Sequence, residues 1–153
     1  MDPFFAFALA LHVAAGLAGC GGAYAAWFAL SGSTPAWRTL WWGTAFALVG
    51  FFMSYASGAV YYLSYYGKAV KPVILQGRFP WAHAFAMEAK EHLFLFLPFV
   101  TLLLAVAIWR YNKLLWDSRN IALREALAAL AGVVAAIAFI VVLLGVLVSG
   151  AVR

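Results

Sequence analysis

Residues Trp81 to Pro98 read WAHAFAMEAKEHLFLFLP. The first part carries His83, Glu88, Lys90, Glu91 and His92. The second opens an apolar run of about seventeen residues, about 26 Å of helix at 1.5 Å per residue, which approaches the thickness of a bilayer core. Ionisable groups at the mouth of a spanning helix are costly to hold there and mark function by default. Pro80 suits the start of this helix. Pro98 removes a backbone donor, should kink the helix and frees the carbonyl of Phe94.

The rest of the chain has the same character. Of its 153 residues 67% are hydrophobic and 10% charged, whereas soluble domains average about a quarter charged. These proportions predict an integral membrane protein, all-α, folded as one transmembrane four-helix bundle over residues 1–153. The spans are expected at about 4–30, 37–66, 81–111 and 121–152. The net charge of +5 flanks the helices, which fits anchoring to anionic lipid rather than binding to nucleic acid. Cys20 is the single cysteine; among glycines in an apolar helix it reads as a small packing residue. The N-terminus lacks the basic region of a cleavable signal peptide.

In the first helix His12, Gly16, Gly19 and Ala23 recur at helical spacing and share one face. Such a stripe serves close helix packing or leaves room for a flat macrocycle beside a ligand. Ser31-Gly32-Ser33-Thr34-Pro35 reads as a turn. In the second helix Gly43, Gly50, Ser54, Ser57 and Gly58 form another small-residue face, and Tyr61, Tyr62, Tyr65 and Tyr66 an aromatic belt at the far end. Residues Gly67 to Pro80 are expected as the longest loop, and the fourth helix as scaffold. Four spans put the N-terminus, that loop and the C-terminus on one face, the N-side. Trp27, Trp37, Trp41, Trp42, Trp109 and Trp116 gather at the other. Lys68, Lys71, Arg78 and Arg153 fall on the N-side; Arg38, Arg110, Lys113, Arg119 and Arg124 lie opposite. That balance favours both termini outside, in a prokaryotic-type cell membrane.

His12 and His92 are expected at similar depth, near the N-side edge of the hydrocarbon. Two imidazoles from different helices supply the axial ligands of a b-type haem, whose properties the protein tunes through ligand identity and burial. His83 and His92 point to opposite helix faces, nine positions apart. His92, with Trp81, Phe85, Glu88, Phe96 and Phe99 on its face, is the preferred partner of His12, and His83, read as closer to water, the alternative. Gly16 and Gly19 would make room for the ring. Arg78, Lys71 and Lys90 are the cations nearest its carboxylates. Without a CxxCH motif, haem would not be attached in the c-type way. Glu88 could orient His92 through a hydrogen bond, or Glu88, Glu91 and the histidines could bind a metal ion directly. Carboxylates early in a helix also favour its dipole, and Lys90 could snorkel to the interface.

The segments ALALHVAAGLAGCGGAYAAW and AHAFAMEAKEHLFLFLPFVTLLL loosely resemble the small membrane haem proteins that include HemJ-type protoporphyrinogen oxidases and CopD-like proteins. The resemblance covers about a third of the chain. It implies His12 as a haem ligand and Lys90 as a basic site residue. The chain has three histidines, too few for a two-haem cytochrome of the b561 kind.

Three functions compete. One is a single-haem cytochrome exchanging electrons with a quinol or porphyrinogen, with Glu88, Glu91 and Lys90 as catalytic groups. Another is a non-haem metal or proton-handling transporter built on Glu88, Glu91, His92 and His12. The last is a cofactor-free subunit of a larger respiratory complex or homo-oligomer.

Overall fold

The computed structural model describes residues 2–33 and 36–152; Met1, Thr34, Pro35 and Arg153 lie outside them. Helix α1 spans Pro3–Ser31, α2 Trp37–Tyr61, α3 Lys71–Gln76, α4 Glu88–Tyr111 and α5 Ile121–Gly150. Two π-helical stretches, Tyr62–Val70 and Ala82–Met87, join α2 to α3 and lead into α4. They leave four helical rods long and apolar enough to cross a membrane: Pro3–Ser31, Trp37–Gln76, Ala82–Tyr111 and Ser118–Gly150. The chain is an all-α bundle of four spans.

The second rod corrects one expectation. Residues Gly67 to Gln76 are helical, so the N-side loop is far shorter than expected. Tyr66 and Ile74 are buried with Ala82, Ala86, Met87 and Val148. An apolar contact therefore holds the helix past the point where its polar residues suggested an end. Pro98 lies buried within α4 and does not end it.

The rods form a ring: α1 packs on α2 and α5, and α4 on the same two. Between α1 and α2 the approach is closest. A Cβ on Gly22 would come 2.5 Å from the Gly43 carbonyl and the Ala47 amide, and one on Gly50 2.6 Å from the Ala15 carbonyl. Lipid tails are as apolar as leucine, so membrane helices associate through such backbone contact. Phe51, Leu97, Leu104, Ile108 and Val134 fill the centre. Large apolar side chains face outward, Phe28 being 72% exposed and Phe85 69%, as a lipid-facing surface requires. At the end away from the N-side, Trp41 stacks on Trp109 at 5.7 Å and Trp37 meets Trp116 edge-on.

Candidate functional site

Among the described residues the main cavity, about 620 Å³, opens at the N-side end of the bundle. It is lined by His12 from α1, Tyr55 and Gly58 from α2, Tyr62 and Tyr66 from the π-helical stretch, Lys90, Glu91, His92 and Phe94 from α4, and Gly145 and Val148 from α5. Leu63, 72% exposed, and Leu95, 44% exposed, also line it. At Leu63 and Leu95 its mouth is thus apolar and reaches the outer face of the bundle. Its volume falls within the range of small-molecule and cofactor sites.

His12 is the most firmly placed group. Its Nδ1 lies 2.8 Å from the Ser54 carbonyl and 3.0 Å from Ser54 Oγ. A carbonyl only accepts, so Nδ1 carries the proton and donates it. Ser54 Oγ in turn donates to the backbone carbonyl of His12 at 2.8 Å. The tautomer that remains has a lone pair on Nε2, which faces Lys90 Nζ at 3.5 Å. The ammonium donates and the imidazole accepts. The stem of Lys90 rests on Gly145, where a Cβ would lie 3.7 Å from it. Phe94 meets His12 edge-on at 6.0 Å and lies tilted against Tyr55 at 6.2 Å.

His92 lines the same cavity but stands exposed at its rim. Its Nδ1 donates to the backbone carbonyl of Glu88 at 2.7 Å. The expected carboxylate bond from Glu88 to His92 is therefore replaced by a main-chain one, and the inward nitrogen of His12 meets Lys90 instead of His92. Glu91 belongs to the cavity, and its Oε1 is buried without a hydrogen-bond partner.

His83 is the larger correction. Expected closer to water, it is 3% exposed. Its Nδ1 lies 3.1 Å from the Tyr66 hydroxyl, and its Nε2 lies 3.9 Å from Glu88 Oε1. The π-helical stretch that carries it turns the ring inward against the other π-helical stretch.

The remaining expected residues lie elsewhere. Gly16 and Gly19 pack on α2, where Cβ atoms would meet Ser54 Oγ at 3.1 Å and the Phe51 ring at 2.6 Å. They make room for a neighbouring helix and not for a ring. Arg78 is exposed, with its guanidinium 5.4 Å from the centre of the Phe79 ring. Neither it nor Lys71 lines the cavity, so Lys90 is the cation there. No group of three or more His, Cys, Asp or Glu side chains among the described residues could hold a metal ion. That removes the geometric support for direct ligation of a metal ion by Glu88, Glu91 and the histidines.

The sequence alone does not mark Ser54, Gly58, Tyr62 and Tyr66 as site residues. Ser54 and Gly58 were visible as part of a small-residue face, but nothing in the chain paired that face with His12. The tyrosines read as an interfacial belt in the sequence because their spacing fits one equally well.

No family model, no curated protein and no solved structure matches the chain.

Proposed function

We propose that this protein is a membrane oxidoreductase that holds one b-type haem in the N-side cavity, where Nε2 of His12 would bind its iron. One observation carries the reading: the Ser54 carbonyl fixes the His12 tautomer so that Nε2 presents its lone pair to the cavity. A main-chain carbonyl on the far nitrogen is the usual way a metal-ligating imidazole is oriented and made more basic. The resemblance noted above, at His12 and Lys90, points the same way.

The bound haem would supply one-electron exchange. Phe94 and Tyr55 would pack along it. Lys90, on a flexible four-carbon stem, would turn from Nε2 to pair with a haem carboxylate. Glu91 offers a carboxyl oxygen with no protein partner, suited to a proton released in the cavity. The apolar mouth at Leu63 and Leu95 would admit a lipid-soluble donor, a quinol or a porphyrinogen.

The test is the visible spectrum of the protein purified in mild detergent after expression with added haem. A Soret band that disappears in His12→Ala is expected. A colourless wild-type protein, or a full haem complement in His12→Ala, would overturn the assignment.

A further inference from the structure

Two side chains in the fold have no part in holding the proposed haem and yet are placed with care. His83 and Tyr66 are each 3% exposed. They meet through a 3.1 Å contact between Nδ1 and the phenol oxygen, and each sits on one of the two π-helical stretches. Single π-turns within helices are rare and often mark functional positions. Nε2 of His83 is buried without a hydrogen-bond partner. A buried polar atom in that state needs an explanation. The carboxylate oxygen within 4 Å of it is Glu88 Oε1, 3.9 Å away, on a side chain 48% exposed. Tyr66 lines the cavity together with Tyr62 and Glu91. On the other flank Leu144 and Val148 of α5, and Ala151 just after it, pack against this cluster. The groups are thus strung in order from surface to cavity: Glu88, His83, Tyr66, then Tyr62 and Glu91.

We propose that Glu88, His83 and Tyr66 form a proton path between N-side water and the cavity. The role assigned to the path rests on the reading of the cavity as a redox site, since a quinol or porphyrinogen gives up protons with its electrons. The path itself can be tested without any cofactor. In the outward direction Tyr66 takes a proton from the cavity at its oxygen and passes its own to Nδ1 of His83. His83 then releases its Nε2 proton to the Glu88 carboxylate, whose flexible arm closes the 3.9 Å gap. One proton has left the cavity and one has reached Glu88. Tyr66 and His83 are neutral again, the ring in its other tautomer. The reverse sequence carries a proton inward.

The experiment is a stopped-flow pH jump on the full chain in lipid nanodiscs, followed by the infrared band of the protonated Glu91 carboxyl. That band is identified by its loss in Glu91→Gln. Removing a positioned proton-transfer group should slow protonation of Glu91 by about a hundredfold in Tyr66→Phe, in His83→Phe and in Glu88→Gln. Added imidazole should restore the rate in His83→Ala but not in His83→Phe, which a packing role would not produce. Unchanged rates in Tyr66→Phe and Glu88→Gln would overturn the path, as would a Glu91 band that does not respond to the jump. The visible spectrum of the same samples keeps the two readings apart: a missing Soret band removes the haem and leaves the proton rates to decide the path.

Discussion

Gly58 lies directly beneath the imidazole of His12: a methyl on its Cα would come 2.5 Å from Nδ1 and 2.9 Å from Cε1. The ring rests on the bare backbone of α2, which is how Nδ1 reaches the Ser54 carbonyl in the turn before. Gly58→Ala should push the imidazole off that carbonyl. Overpacking of this kind costs about 1–3 kcal/mol. The expected outcome is a lower unfolding midpoint with most of the bound haem lost, read as Soret absorbance per protein. A variant with both properties intact would show that the His12 pose is not what holds the chromophore.

Ser54→Ala separates the hydroxyl from the carbonyl. It removes the Oγ donation to the His12 carbonyl but leaves the main-chain acceptor for Nδ1. A net loss of about 0.5–1.5 kcal/mol is expected, with the spectrum unchanged. A shifted or absent Soret band would assign the orientation of His12 to the hydroxyl.

Lys90→Met keeps the length of the stem and deletes the charge. Charge-assisted hydrogen bonds contribute about 1.5–3 kcal/mol, so haem should bind about ten- to a hundredfold more weakly in titrations of the stripped protein. Equal or tighter binding would mean that the ammonium only competes for Nε2.

Neighbouring glycines provide an internal control on the helix seam. Gly22 has the backbone of α2 against it, whereas nothing lies within 4 Å of a Cβ on Gly21. Gly22→Ala should destabilise the bundle by about 1–3 kcal/mol. Gly21→Ala should be neutral or stabilise by up to about 1 kcal/mol through helix propensity. Denaturation of both variants in the same detergent would settle the contrast, and equal effects would contradict close packing at Gly22.

At the turn that opens the fourth span, Arg119 donates to the Asp117 carboxylate at 2.8 Å and holds that carboxyl, which precedes the span, below its usual value of 3.8. The folded value is depressed. The contribution of the pair is therefore complete above the unfolded value and is lost as pH falls through the folded one. With 13C-labelled aspartate, Asp117 should titrate below 3.8 and return toward it in Arg119→Gln. Titration at or above 3.8 in the wild type would contradict the pairing.

Much of the molecule could be read from the chain. Apolar runs interrupted by charge give four spans, because a membrane admits few alternatives to a helix whose backbone bonds are all internal. The tryptophans at one end and the shared depth of His12 with the α4 cluster follow from counting residues along those helices. Helical periodicity also revealed the small-residue faces of α1 and α2. It could not say whether Gly16 and Gly19 face a ring or a neighbouring helix, because periodicity names a face and not its partner.

The remaining features depend on how the helices turn against one another. A nine-residue separation points His83 and His92 to opposite faces, and one is buried while the other is exposed, but it does not say which faces inward; that depends on how the π-helical turns at Ala82–Met87 pack. They bury the histidine expected near water and leave at the rim the one expected inside. Composition and periodicity determine that this chain spans a membrane four times with ionisable groups at one end, because those properties are local and additive along a helix. The tautomer of His12, its meeting with Lys90 and the line from Glu88 through His83 to Tyr66 belong to the packed bundle, because each joins residues that only the rotation of one helix against another brings within a few ångströms.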